Sequence, residues 1–257
     1  MENAFQKWGI SHLSASSLNA YIAEPAMWVM RYVYKVKSES AAMFRGTAIE
    51  KALCDSLRQN AGVEACIHTA EFLFDSECER AKFPLGHPDV VKERAAIRPM
   101  IESGYVGLIP LAEEGMQFQK RVEIDIGAGV PLIGYADIVG SKIYELKTTL
   151  RMPSDAGSLK RAHLRQAAIY SAHEGKPAEL CYIAPPVKSG AHQGFKLFPV
   201  ESPEQYLADL KRAALSLIIV LEMADDREEL TEIVFPDYDR FQWDAESVKQ
   251  AREIWKD

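Results

Sequence analysis

Residues 134–149, which read GYADIVGSKIYELKTT, constrain the fold most because they contain two short strand-like runs separated by a glycine and a serine. Side chains of a β-strand alternate between its two faces. Glu145 and Lys147 lie two residues apart and therefore point to one face, whereas Leu146 points to the other. The segment predicts a β-hairpin that carries an acidic and a basic side chain on one face.

The length of the hairpin loop decides whether a second acid joins that face. A loop of two residues would place Asp137 opposite Tyr144, on the face away from Glu145. A loop of three residues, 140–142, places Asp137 directly opposite Glu145, and three-residue hairpin loops that contain glycine are common. In that register the two β-carbons lie about 5 Å apart. We predict the three-residue loop.

Two carboxylates this close repel each other when both are ionised. A divalent cation offsets that repulsion, and ligation by oxygen alone suits Mg²⁺ or Mn²⁺. Lys147 adds a positive group that can hold an attacking water or stabilise charge on a phosphate. Taken alone, a Glu-Leu-Lys triplet more often marks a solvated strand face, so the interpretation needs support from the rest of the chain.

The periodicity of the remaining sequence predicts helices on both sides of a group of strands. We predict an α/β fold with a central mixed β-sheet flanked by helices and a helical N-terminal part, as a single domain over residues 1–257. The segment SASSLNAYI, residues 14–22, offers serine caps before an apolar-periodic stretch, and Ser202 and Pro203 are expected to open the long helix. The predicted helices cover residues 41–60, 70–82, 89–103, 158–174, 203–224 and 244–256, and the predicted strands cover 118–126, 131–139, 142–149, 179–185 and 194–200.

Size and charge bound the class of protein. The 257 residues can bury one substantial core, and no apolar stretch is long enough to span a membrane. No secretory signal is visible, so a cytoplasmic location is expected. The net charge of −7 counts mildly against a DNA-binding protein. Local potential and a bound metal ion weaken that objection.

The four cysteines contain no Cys-x-x-Cys pair, which argues against a zinc knuckle. In a chain of this length without a visible signal peptide, we predict reduced and mostly buried thiols rather than disulfides.

Two further segments, both predicted to be helical, carry polar residues that are candidates for a functional site. On the predicted helix 41–60, Glu50 shares a face with Leu53 and Cys54, and a carboxylate on an apolar stripe is costly unless it is paired or bound to metal. The alternative is a glutamate at a helix cap or edge. Gln166 and Tyr170 are four residues apart and share a helix face, which is also common for a surface pair.

Together these segments form an ordered set of motifs. The set is GTAIE at 46–50, GYAD at 134–137, ELKT at 145–148 and a Gln-x-x-x-Tyr pattern at 166–170. An opening SASSLNAYIAEP begins at residue 14. In order and spacing the set resembles the RecB-like exonuclease branch of the PD-(D/E)XK nuclease superfamily.

The resemblance implies a two-layer, restriction-endonuclease-like core that cuts phosphodiester bonds with Mg²⁺ or Mn²⁺. Lys147 would serve the nucleophile, and Gln166 and Tyr170 would support substrate phosphates or the site lysine. The metal ligands would be Glu50, Asp137, Glu145 and the carbonyl of Leu146. The size of the chain is similar to that of stand-alone phage or prophage exonucleases that act in recombination.

The sequence departs from the pattern of that family at two positions. Many members have histidine where this chain has Glu50, which leaves open whether one or two metal ions bind. Some members hold an iron–sulfur cluster through a cysteine that precedes the opening proline and three C-terminal cysteines. Here Glu24 precedes Pro25 and no cysteine follows Cys181, so no iron–sulfur cluster is expected.

The expected substrate is DNA, and contacts to its phosphates would make binding fall steeply with salt. Most lysines and arginines are ordinary solvated residues, which is the alternative for every candidate. The candidates for phosphate contact are Arg31, Arg45, Lys160, Arg161, Arg165 and Lys188.

The leading hypothesis is a metal-dependent DNA exonuclease for linear DNA that acts in recombination, repair or phage DNA processing. Two alternatives stay open: a non-catalytic nucleic-acid-binding module on the same fold, and a restriction-type endonuclease. No membrane partner is expected, and a homo-oligomer or a recombination partner protein is left open. The sequence does not indicate cleavage polarity or strand preference.

Overall fold

The structure is a computed structural model that describes residues 3–37, 39–187, 194–240 and 242–256. Lys188, one of the residues predicted to contact phosphate, lies outside this range. The chain divides into two compact units. Unit 1 comprises Met1–Ser38, Val122–Gly134 and Ser202–Asp257, and unit 2 comprises Glu39–Arg121 and Tyr135–Glu201. The single domain expected from the sequence stays a prediction.

Helices make up most of the regular structure of the described residues, and five strands form a sheet. The α-helices are α1 Ala4–Lys7, α2 Ala15–Ala23, α3 Pro25–Trp28, α4 Ala41–Gln59, α5 Val63–Arg80, α6 Pro88–Ala95, α7 Ile97–Leu108, α8 Arg161–Glu174, α9 Pro203–Glu222, α10 Arg227–Ile233 and α11 Ala245–Trp255. A π-helical turn covers Val29–Val33, and short 3₁₀ turns cover Ile109–Leu111 and Ala156–Ser158. The strands are β1 Gln117–Ile124, β2 Leu132–Val139, β3 Ile143–Thr148, β4 Ala178–Ile183 and β5 Phe195–Pro199.

The five strands lie in the order β1-β2-β3-β4-β5. Strands β2 and β3 pair antiparallel, β3 and β4 pair parallel through the connection that contains α8, and β4 and β5 pair antiparallel. The predicted α/β fold with a central mixed sheet and flanking helices is confirmed. The parallel pair matters for the site because it places β3 inside the sheet, where its side chains are buried.

The β2–β3 hairpin has the predicted three-residue loop. Val139 pairs with Ile143 and Ile138 with Tyr144, and the Gly140 N–H donates to the Lys142 carbonyl at 2.8 Å. The same register carried one residue further places Asp137 opposite the acid of β3. The hairpin prediction is confirmed, and both acids share one face of the sheet.

Helices α4, α5 and α7 form the helical layer of unit 2 and pack on a continuous apolar core. At Gly104 of α7, a β-carbon would lie 3.0 Å from methyl groups of Leu53 and Ile183. A larger residue there would push α7 away from α4 and β4. This close packing gives α4, which carries one of the predicted metal ligands, a rigid support. Fully buried members of the core include Ile49, Leu53, Ile67, Phe74, Ile97 and Ile101.

Several element boundaries differ from the prediction for local reasons. The predicted helix 89–103 is two helices that meet at Ala96, because the ring of Pro99 conflicts with the carbonyl four residues earlier. Ser14 caps α2 as expected, with its side chain accepting from the Ser17 N–H. Ser202 occupies the N-cap position of α9 and Pro203 its first turn, as predicted, but the Ser202 backbone is left-handed, with φ of 49°, and its side chain makes no cap hydrogen bond.

All four cysteines are free thiols with buried side chains, so the prediction of reduced, buried cysteines is confirmed. Among the described residues, no helix combines the length and apolar composition needed to cross a membrane.

Candidate active site

The two acids of the hairpin are almost completely buried. Asp137 on β2 is 2% exposed and Glu145 on β3 is 1% exposed. Glu145 Oε1 accepts a hydrogen bond from Lys147 Nζ at 2.5 Å. Its second oxygen, Oε2, is buried and finds no hydrogen-bond partner among the residues that the structure describes. A buried carboxylate oxygen with no donor is costly, and it is available to a cation.

Asp137 is held by two donors from different elements. Its Oδ2 accepts from the backbone N–H of Leu146 at 2.7 Å, and its Oδ1 accepts from the side-chain amide of Gln119 at 3.0 Å. The same Gln119 nitrogen donates to Glu50 Oε1 at 2.9 Å. Helix α4 and strands β1, β2 and β3 therefore bring Glu50, Asp137, Glu145 and Lys147 together, as the motifs suggested.

Crowding and burial raise the pKa values of all three carboxyls. Burial, and then the charge of Glu145, raises the pKa of Asp137 to about 7. Burial, and then the charge of Asp137, raises the pKa of Glu50 to about 8. Burial raises the pKa of Glu145, although Lys147 opposes that rise. Keeping these carboxyls ionised at neutral pH costs free energy, and a bound cation would offset that cost.

Lys147 remains a cation in this setting. Burial lowers its pKa, but Glu145 and Asp137 outweigh that effect and hold the pKa above its usual value. A lysine held in the protonated state is suited to fixing a water or a phosphate oxygen by charge and hydrogen bonding, and it is not suited to removing a proton.

Gln166 and Tyr170 meet on α8 as their spacing predicts, with Gln166 Nε2 donating to the Tyr170 hydroxyl at 3.1 Å. Tyr170 is buried, and burial together with the charge of Glu145 raises its pKa. The pair therefore lies beside the acid of β3, from the helix that connects β3 to β4.

A cleft of about 400 Å³ opens next to Lys147. Across it, His163 Nδ1 and the Tyr182 hydroxyl lie 2.6 Å apart. Burial, and then the charges of Lys147 and Lys160, lowers the pKa of His163 to about 3, so its imidazole is neutral. No motif pointed to this pair, whose partners come from α8 and β4. The cleft is lined by Met43, Gly46, Thr47, Glu50, Leu146, Lys147, Thr148, Thr149, Lys160, His163 and Tyr182.

The residues predicted to contact phosphate have different surroundings in the structure. Lys160 is exposed at the cleft, and Arg161 and Arg165 lie on α8 nearby in sequence. Arg45 is 4% exposed and forms an ion pair with Glu93, which contradicts the prediction that it contacts phosphate. Arg31 lies in the π-helical turn of unit 1, and its role stays a prediction.

Among the described residues, no group of three or more His, Cys, Asp or Glu side chains is arranged to hold a metal ion. The chemistry of the donors nevertheless fits a hard cation such as Mg²⁺ or Mn²⁺, because carboxylate oxygens converge and Glu145 Oε2 has no donor. The amide of Gln119 donates a hydrogen bond to both Glu50 and Asp137.

The raised pKa values predict how the stability of the metal-free protein depends on pH. A carboxyl whose pKa is higher in the folded state contributes its full stabilisation at pH values below its unfolded pKa. That stabilisation is lost as the pH rises through the folded pKa. For Asp137 and Glu50 that loss extends from about pH 4 to about pH 8. We expect the Tm in EDTA to fall across this range, and we expect Glu50→Gln to flatten the decline.

The check is thermal unfolding of the wild type and Glu50→Gln at several pH values in EDTA. Glu79→Gln, at an exposed position of α5, is the control and should keep the wild-type slope. A decline that is equally steep in wild type and Glu50→Gln would contradict the assignment of a raised pKa to Glu50.

Comparison with known proteins agrees with this geometry. A family model for the PD-(D/E)XK nuclease superfamily matches residues 12–255. No curated protein matches the chain. A crystal structure from Eubacterium rectale, of a protein provisionally named an exonuclease, has a TM-score of 0.52 at 14% identity and covers 93% of this chain and 88% of its own.

A second solved structure, SSO0001, has a TM-score of 0.35 at 19% identity and covers 73% of this chain and 84% of its own. At 14% identity the Eubacterium rectale structure supports the fold alone, whereas the family model extends over nearly the whole chain. The resemblance drawn from the motifs is confirmed, and the chain belongs to the PD-(D/E)XK nuclease superfamily.

Proposed function

We propose that the protein is a divalent-metal-dependent deoxyribonuclease that hydrolyses phosphodiester bonds of linear DNA as an exonuclease, in recombination, repair or phage DNA processing. The observation that carries the proposal is the convergence of Asp137, Glu145 and Lys147 with Glu50 beside an open cleft. Members of this superfamily are nucleases, and a degenerate site would be expected to lack at least one of these groups.

Glu50, Asp137, Glu145 and the Leu146 carbonyl would hold Mg²⁺ or Mn²⁺, which supplies positive charge for a phosphoryl oxygen and lowers the pKa of a water. Glu145 Oε1 fixes the ammonium of Lys147 at the edge of the cleft. That ammonium would position the attacking water and stabilise the charge that develops on the phosphate.

The residues around Lys147 support the same chemistry. Tyr170, paired with Gln166, lies near enough to Glu145 for the charge of that acid to raise its pKa. The neutral His163–Tyr182 pair presents hydrogen-bonding groups rather than charge to the cleft. Lys160 adds the positive charge that a phosphate backbone needs where it enters the cleft.

The proposal is tested by incubating the protein with end-labelled linear duplex and with closed circular DNA, in Mg²⁺, in Mn²⁺ and in EDTA. Metal-dependent digestion of the linear form alone supports an exonuclease, and the order in which label is released gives the polarity. Cleavage of closed circles at defined places would favour the restriction-type endonuclease. Binding without cleavage in any metal ion, on single-stranded DNA as well, would favour the non-catalytic module.

The exposed lysine at the cleft gives a prediction about DNA binding. Lys160→Ala should weaken binding several-fold at low salt and lower the slope of log K against log salt by about one, because one phosphate contact is lost. The measurement is fluorescence anisotropy with labelled DNA in EDTA over a series of salt concentrations. Lys92→Ala, at an exposed position of α6, should leave both the affinity and the slope unchanged. Equal slopes for wild type and Lys160→Ala would remove Lys160 from the interface.

A further inference from the structure

Gln119 has an unusual backbone conformation for a residue inside a strand. Its φ is 51°, in the left-handed region that residues other than glycine avoid, although it lies in β1 between Gln117 and Ile124. Strained backbone of this kind persists only where the surrounding contacts enforce it, and it is concentrated at functional sites. We therefore expect the backbone conformation of Gln119 to make specific local contacts possible.

The left-handed residue changes where two neighbouring side chains point. In an undisturbed strand, Phe118 and Gln119 would point to opposite faces. Here the Arg58 guanidinium lies 5.6 Å from the centre of the Phe118 ring, and the Gln119 amide contacts Glu50. Arg58 and Glu50 both belong to α4. Both side chains therefore face the same helix, and the strained backbone turns the Gln119 amide into the site.

Both hydrogens of the amide have a partner in that position. Gln119 Nε2 lies 2.9 Å from Glu50 Oε1 and 3.0 Å from Asp137 Oδ1, with the Cys54 sulfur at 3.9 Å. The nitrogen therefore occupies a position in contact with one oxygen of each acid, and the two carboxyls also form a hydrogen bond with each other. A cation that both acids bind would need that same space, because it would have to contact the same pair of carboxylates.

We propose that Gln119 is a positioning residue whose amide takes the place of the cation in the metal-free site and must withdraw when a divalent ion binds to Glu50 and Asp137. The inference rests on the proposed metal-dependent function. The amide keeps the two carboxylates close together in the absence of metal, and its withdrawal breaks two hydrogen bonds that the metal must replace.

This role has two linked consequences. Removing the amide should destabilise the metal-free protein, since Glu50 and Asp137 each lose a hydrogen-bond donor. It should also tighten metal binding, because the ion no longer displaces the amide. A purely structural glutamine would produce the first effect, and it would not produce tighter metal binding.

The experiment measures binding of Mn²⁺ alone, without DNA, by the electron paramagnetic resonance signal of the free ion, and the Tm of each protein in EDTA. The full chain is used as wild type, Gln119→Ala and Gln119→Met. Methionine has a side chain of similar length but no hydrogen-bond donor, so Gln119→Met provides the test if Gln119→Ala does not fold. Gln117→Ala is the matched control, since Gln117 is an exposed glutamine of the same strand.

We expect both Gln119 variants to bind Mn²⁺ at least about threefold more tightly than the wild type. We also expect both to melt at a lower temperature in EDTA. Displacement of the amide by the ion predicts both changes together. Gln117→Ala should match the wild type in both. Unchanged or weaker Mn²⁺ binding by the folded Gln119 variants, with normal binding by the wild type, would overturn the role of Gln119 and leave the proposed nuclease intact. Absence of Mn²⁺ binding by the wild type would overturn both.

Discussion

Replacing Lys147 by alanine should lower the rate of metal-dependent DNA cleavage by about 100- to 1000-fold, the usual loss when one preorganised donor to a transition state is removed. The reason lies in the site: Glu145 holds the Lys147 ammonium at 2.5 Å, and the neighbouring acids keep it protonated. Glu145→Ala should lose activity to a similar or larger extent, because it removes both a metal ligand and the group that orients the lysine.

The measurement is single-turnover digestion of end-labelled linear DNA at saturating protein, with the Tm and DNA affinity of each variant determined alongside. Lys142→Ala is the matched control. Lys142 belongs to the loop of the same hairpin and pairs with Glu179, so its removal should leave the rate within about twofold of the wild type. If Lys147→Ala and Glu145→Ala digest DNA as fast as the wild type, the site assignment is wrong.

Replacing Arg45 by alanine should cost about 3–5 kcal/mol of the free energy of unfolding, because it leaves the carboxylate of Glu93 buried without its partner. The two side chains are 5% and 9% exposed, and they join α4 to α6 inside unit 2. The loss should be one of stability: a folded Arg45→Ala protein should bind DNA with unchanged dependence on salt.

Urea denaturation followed by circular dichroism measures the change. The exposed ion pair of Arg98 with Glu64, whose side chains are 46% and 65% exposed, provides the control. Arg98→Ala should cost no more than about 1 kcal/mol, since solvent screens an exposed pair. A small loss for Arg45→Ala together with a reduced salt slope for DNA binding would restore Arg45 as a phosphate contact.

The sequence alone determined the parts of this protein that depend on near neighbours in the chain. The alternation of side chains between the two strand faces in residues 134–149 and the glycine in the loop were enough to predict the hairpin register. A slip of one residue would move every side chain to the opposite face of the sheet. The same local information placed Glu145 and Lys147 on one face and Gln166 beside Tyr170. The order of helices and strands then predicted a mixed sheet, which the parallel β3–β4 pair completes.

Only the tertiary structure decided which groups from distant segments meet. Arg45 resembled a phosphate contact in the sequence, but the packing of α6 against α4 supplies Glu93 as its buried partner. The bridge from Gln119 to Glu50 and Asp137 depends on a left-handed residue that contradicts simple strand alternation. Periodicity specifies which face of its own element a side chain occupies, whereas its partner depends on how elements far apart in the chain pack together.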